Sequence, residues 1–338
     1  MEPVDAVKLV YQSAFGCGHL LSENCVQRVE EELAHVAACG DVPALTPIGG
    51  GLGRLNLAAP AVRELPPERI AGMMRVTMAQ PLGGEAALAA GLEALRALAR
   101  AGEVPFSLES LETFLGSWDG HTPVSHSAAY RAAYAPAYRV VREDLGTLVP
   151  VVTQIERRLA GSHRALAVLD GPCGSGKSML ADALAALYHT RPIRMDDFFL
   201  PPAMRTEERL MQPGGNVHYE RFRDEVLAGL MRGGDVSYRR YDCQSGAWLE
   251  RVHRAAPVAV IEGSYSHHPA FAEAYAALDA LRIFVYTAEE ERIKRLRERE
   301  GERFFTFQTR WMPLEKSYIE AYDIKSGADI ALESQPWA

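Results

Sequence analysis

The sequence predicts an α/β protein. Its main part is a parallel sheet with helices on both faces, preceded by a smaller, mainly helical α+β domain. Three observations lead there. From about residue 145, five short apolar runs alternate with helical patterns, the rhythm of parallel strands covered on both sides. The first run leads directly into a glycine-rich turn and then a helix pattern. The 338 residues exceed one average domain and suit two.

Composition narrows the class. Hydrophobic residues make up 48% and charged residues 24%, enough to build ordinary cores. The formal net charge is −8, which excludes the basic footprint of a non-specific nucleic-acid binder. The five cysteines (Cys17, Cys25, Cys39, Cys173, Cys243) are odd in number and lack C-x-x-C spacing. That argues against a disulfide framework or a zinc site. The start, "MEPVDAVKLVYQ", has no basic n-region followed by an apolar run. No stretch approaches ~18 apolar residues. The expectation is a cytoplasmic protein with no membrane or nucleic-acid partner; a homo-oligomer is compatible with the sequence.

The elements follow in chain order. Residues 22–40 read as a helix with Ser22 as N-cap and Gly40 as stop. Residues 43–60 are rich in Gly and Pro and read as a loop with a short strand. Residues 84–102 form an Ala- and Leu-rich helix closed by Gly102. Residues 121–141, with several Tyr and broken by Pro136, read as an ordered connector. The composition changes near 145, which sets domains of 1–144 and 145–338. The second opens with the helix "VPVVTQIERRLAG". Strands are expected at 164–171, 192–195, 256–263, 281–287 and 328–332.

"GPCGSGKS" (171–178) fits G-x-x-x-x-G-K-[ST]. Glycines let backbone N–H groups turn inward around phosphate oxygens. The following helix aims its positive end at the anion. This predicts a P-loop NTPase sheet with ATP held by Gly171, Pro172, Cys173, Gly174, Ser175, Gly176, Lys177, Ser178 and Met179. Lys177 would reach the β- and γ-phosphates, and Ser178 would ligate Mg²⁺. Asp196 and Asp197 close the second strand. A carboxylate there can take the proton of an attacking hydroxyl; a turn or capping aspartate is the alternative. Glu262 ends the third strand, where an acid holds Mg²⁺ directly or through water. No Asn-Lys-x-Asp segment is present, which favours ATP over GTP.

Together, "GPCGSGKS", "MDDFF", "NVHYERF", "YRRYDC", "VIEGSY" and "ERIKRLRERE" resemble the uridine kinase-like group of P-loop kinases. That group includes uridine–cytidine kinases, nicotinamide riboside kinases, phosphoribulokinases and bacterial pantothenate kinases. The resemblance covers 145–338. It implies a five-stranded parallel core, Asp196 as catalytic base and Tyr241 against the acceptor. It also implies lid arginines over the phosphates, drawn from Arg292, Arg295, Arg297 and Arg299, with Arg303 and Arg310 in reserve. Arg295 and Arg299 share one helical face, four residues apart.

Two departures bear on the acceptor. "YDCQSGAW" lacks the histidine that follows this tyrosine in nucleoside kinases, and His218 stands where an acid binds their sugar. Asp197, His218, Tyr241 and His267 are the candidate acceptor contacts, with His268 beside them. Phe305, Phe307 and Trp311 are expected in core packing, with the border of an adenine pocket as the alternative.

The implied activity is transfer of the γ-phosphate of ATP, with Mg²⁺, to a hydroxyl of a small metabolite. A nucleoside or ribosyl-like acceptor comes first, a vitamin or sugar second. An ATP sensor without phosphotransfer is the competing class. In residues 1–144, His19, Arg54, Asn56, His126, Tyr130, Arg131 and Arg139 suggest either a structural cap with internally bonded side chains or a second ligand site. The cap is the expected reading.

Overall fold

The structure is a computed structural model and describes residues 1–243 and 245–334. The chain divides into two compact units, Met1–Val149 and the residues from Pro150 onward.

In the first unit, α1 (Pro3–Phe15), α2 (Cys25–His35), α3 (Pro67–Met78), α4 (Gly84–Ala101) and α5 (Leu108–Ser117) accompany a small antiparallel sheet. Its strands are β1 (Leu45–Gly49), β2 (Leu52–Asn56) and β3 (Tyr138–Arg142), in the order β1-β2-β3. Helix α4 ends as expected, with Gly102 in the left-handed region at φ 71°. Helix α2 is shorter than its pattern. The Ser22 hydroxyl bonds the Asn24 side chain at 2.6 Å instead of capping the helix. Beyond His35 the chain extends, and the Cys39 N–H bonds the Ala58 carbonyl at 2.9 Å. The glycine-rich segment is a full hairpin, not a single strand. The connector ends in β3, pairing Val140 with Arg54 of β2.

Polar side chains of this unit are engaged within it. His126 Nδ1 lies 3.1 Å from Asp5 Oδ1 and its Nε2 lies 2.7 Å from the Tyr138 hydroxyl. Arg54 donates to Gln12 at 2.9 Å, Asn56 to the Pro43 carbonyl at 2.6 Å, and Arg139 pairs with Glu32.

The second unit is an α/β P-loop fold. Helix α6 (Val149–Ser162) leads to β4 (Ala165–Asp170), which feeds α7 (Lys177–Leu187). Then come β5 (Ile193–Arg194), β6 (Val236–Tyr241), β7 (Trp248–His253), β8 (Val258–Glu262), β9 (Leu281–Tyr286), α8 (Glu289–Glu300), α9 (Met312–Ala321) and β10 (Ile330–Glu333). Five strands form one all-parallel sheet in the order β10-β9-β4-β8-β5. Strands β4 and β8 are buried along their whole length, as a sheet covered on both faces requires.

The hairpin β6–β7 was not anticipated from the sequence. Its first strand alternates Val236, Tyr238 and Tyr241 inward with exposed residues between, a half-buried pattern that the arginines obscure. Among the described residues, no helix is long and apolar enough to cross a membrane.

Candidate functional site

Strand β4 lies at the sheet centre; the chain passes from it to β5 at one edge, returns through β8, and then crosses to β9 on the other side of β4. The crevice at the carboxyl ends of such strands is where ligands bind in open α/β sheets.

The turn 171–176 fills that crevice mouth. Gly171 has φ 149°, and a Cβ there would lie 2.0 Å from the Val285 carbonyl oxygen, so only glycine fits. Gly176, at φ 87°, turns the chain into α7. Asp170, fully buried at the end of β4, anchors the surrounding loops. Its carboxylate accepts from the N–H of Gly171 (2.6 Å), His267 (2.7 Å) and Tyr265 (3.2 Å), and from the Tyr318 hydroxyl (2.7 Å). These bonds hold Tyr265 at φ 75°, a conformation that costs about 1–3 kcal/mol for a side-chain-bearing residue.

A cleft of about 260 Å³ opens beside this turn. Lys177, Ser178, Asp196, Glu262 and Arg299 line it. The Ser178 hydroxyl donates to Glu262 Oε1 at 2.5 Å, and Arg194 approaches the same oxygen at 3.2 Å. The Lys177 ammonium donates to the Pro172 carbonyl at 3.3 Å. Asp196 is exposed and lines the cleft. Its carboxyl is pushed up to about 6, first by desolvation and then by the negative charge of Glu262, with Lys177 opposing.

The residues present fit nucleotide phosphates and a hard divalent cation. Ser175 Oγ, in the glycine-rich turn, is buried without a hydrogen-bond partner among the described residues. Ser178 and Glu262 offer adjacent oxygen donors. Among the described residues no cluster of three or more metal-ligating side chains exists. Mg²⁺ bound through one or two protein oxygens plus substrate phosphates needs none.

The two predicted lid arginines differ. Arg295, on α8, lies against the turn, 3.5 Å from the Gly174 carbonyl and 3.3 Å from Ser334 Oγ. Arg299 lines the cleft, with its Nε 2.8 Å from Glu300. Met179 is exposed on the first turn of α7.

None of the four predicted acceptor contacts lines the cleft. Asp197 is buried, accepting from the Tyr238 hydroxyl at 3.1 Å with Arg240 3.4 Å away, and so fastens the hairpin. Both aspartates lie in a 3-10 turn, Met195–Phe198, just past β5, and of the two only Asp196 lines the cleft. Tyr241 is buried against Trp248, with ring centroids 5.0 Å apart. His218 caps a short turn and lies 3.1 Å from Glu220. His267 is buried with Nε2 3.0 Å from the Val168 carbonyl. His268 stacks on Tyr219 at 4.5 Å.

The expectation of core packing for Phe307 and Trp311 is also overturned. Both line the cleft, while Phe305 is 72% exposed. Residues Phe307–Trp311 form a wide π-helical turn, which brings positions four apart onto one face.

Sequence reasoning missed several lining residues. Glu315 of α9 accepts the Cys173 N–H at 2.9 Å and the Ser264 hydroxyl at 2.7 Å. Arg205, Asn216 and Cys243 also line the cleft. None stands in a recognisable motif.

No family model matches the chain, and no curated protein matches it in sequence. Solved structures similar to it include three at low identity. A possible uridine kinase from Bacillus stearothermophilus has 16% identity and a TM-score of 0.39, covering 54% of this chain and 99% of that one. A provisionally assigned fructose transport system kinase from Silicibacter sp. TM1040 has 23% identity and a TM-score of 0.36, covering 50% and 89%. The YGR205w protein has 12% identity and a TM-score of 0.32, covering 53% and 84%. At these identities and scores, none of the three decides an activity or an acceptor for this chain.

Proposed function

We propose that this protein is a kinase that transfers the γ-phosphate of ATP to a hydroxyl of a small metabolite. One observation carries the reading. A carboxylate of raised pKa, Asp196, shares a cleft with Lys177 and the Ser178–Glu262 pair. A nucleotide-binding module that only senses ATP has no use for that carboxylate.

In this reading the acceptor hydroxyl gives its proton to Asp196 as its oxygen attacks the γ-phosphorus. The bond from that phosphorus to the leaving oxygen of ADP breaks in the same event. Lys177, with Arg295 and Arg299 from α8, offsets charge on the transferred group. Ser178 and Glu262 would hold Mg²⁺, which neutralises the β- and γ-phosphate oxygens when bound.

The test is ATP consumption by the purified chain with Mg²⁺ over a panel of hydroxyl acceptors. Lys177→Ala should abolish any turnover found. Asp196→Asn should lower kcat about 10²- to 10⁴-fold while ATP binding, measured by calorimetry, stays within a few-fold. Unchanged turnover in Asp196→Asn would remove Asp196 as the base. ATP binding with no turnover on any acceptor would favour a sensor.

A further inference from the structure

Three carboxylates line the cleft: Asp196, Glu262 and Glu315. Three cations line the cleft: Lys177, Arg205 and Arg299. Lys177 faces the phosphate turn, and Arg299 is paired with Glu300 at 2.8 Å. Arg205 follows the short helical turn Pro202–Met204. Its Nε donates to the Leu200 carbonyl at 2.7 Å and its Nη2 to Cys243 Sγ at 3.4 Å. Among the described residues, no carboxylate pairs with it.

The guanidinium is therefore fixed in direction without being neutralised. Leu200, which receives its Nε, is itself buried and donates its N–H to the Asn216 carbonyl at 3.1 Å. Asn216 is also buried and also lines the cleft. One residue thus sets both an amide and an uncompensated guanidinium in the cleft lining.

Beyond Asp196, carboxylates of the neighbouring segments are held by internal partners. Asp197 is held by Tyr238 and Arg240. Glu220 is held by Arg209, at 2.7 Å and 3.0 Å, and by His218. Arg209 cannot serve as a second cation, since it also bonds the Gly215 and Val217 carbonyls. A planar fork with open donors matches the paired oxygens of a carboxylate or phosphate.

We propose that the phosphate acceptor carries an anionic group, carboxylate or phosphate, and that Arg205 binds it. The proposal rests on the kinase reading above and narrows its substrate class. A neutral nucleoside is then not the acceptor.

The experiment measures ADP release by the full chain with MgATP and matched acceptors. Glycerate is set against glycerol, and ribose 5-phosphate against ribose, with uridine as a neutral nucleoside. Kinetics are then repeated in Arg205→Gln and Arg205→Lys. The expected result is a preference of about 30-fold or more in kcat/KM for at least one anionic member over its neutral counterpart. The responding pair distinguishes carboxylate from phosphate. Arg205→Gln should raise KM for that acceptor by a similar factor with KM for ATP unchanged, and Arg205→Lys should restore part of it.

Equal or better turnover of the neutral members would overturn the proposal and leave the kinase reading standing. So would an anionic acceptor whose KM ignores Arg205→Gln, or a rise in KM for ATP in its place. Silence of the wild-type chain across the panel, with ATP bound, would overturn both.

Discussion

Lowering the pH from about 8 to about 5 should cost the proposed kinase roughly tenfold in kcat/KM, through Asp196 alone. The carboxyl of an ordinary aspartate titrates near 4. Asp196 stands at about 6 because of desolvation by the surrounding protein and the negative charge of Glu262, with Glu315 adding and Lys177 subtracting. A base works only when ionised. At pH 7 about nine-tenths of Asp196 would carry its charge, and at pH 5 about one-tenth. An aspartate at its ordinary value would still be more than nine-tenths ionised at pH 5. The two cases therefore differ about tenfold at one accessible pH. The assay is kcat/KM against pH, which reports groups of the free enzyme. It should use an acceptor that does not itself titrate in the range, such as a carboxylate. Glu315→Gln removes one of the charges that raise Asp196, so it should move the acid limb to lower pH. A profile flat down to pH 5, or a limb unmoved in Glu315→Gln, would refute the argument.

Two further predictions concern the scaffold of the cleft. Tyr318→Phe keeps the buried ring but removes its hydrogen bond to Asp170. A bond to a charged acceptor contributes about 2 kcal/mol. For a unit of this size that is a fall in Tm of about 4–8 °C, read by calorimetry, and a shift under 1 °C would refute it. Burial pushes the Cys17 and Cys173 thiols up to about 12, while Cys39 and Cys243 are exposed. Iodoacetamide near pH 8 should label Cys39 and Cys243 at least ~10²-fold faster than the other two, by mass spectrometry; comparable labelling of Cys173 would contradict its placement.

The legible part of the site is the part written in local backbone. A buried strand, a turn needing φ values that glycine allows, and a helix starting at Lys177 are properties of consecutive residues. Periodicity and glycine spacing expose them directly. Glu262 and Asp196 were legible for the same reason, since each ends an apolar run. The parallel sheet followed from alternation of short runs with helix patterns.

What escaped was partnership over distance. Asp197 looks like Asp196 in sequence, and only Tyr238, 41 residues on, shows that it faces away. His267 belongs to a carbonyl 99 residues earlier, and Glu315 meets the phosphate turn across 142 residues. The hairpin, and with it the burial of Tyr241, was hidden by arginines that interrupt its apolar alternation.

The sequence by itself determined the fold class, the phosphate turn and the residues at the strand ends, because strand, turn and helix are local preferences summed over neighbours. The tertiary structure alone decided which polar side chains are spent on internal hydrogen bonds and which remain directed into the cleft. That choice depends on partners brought together by packing, and it is what leaves Arg205 in the cleft lining without a carboxylate partner among the described residues.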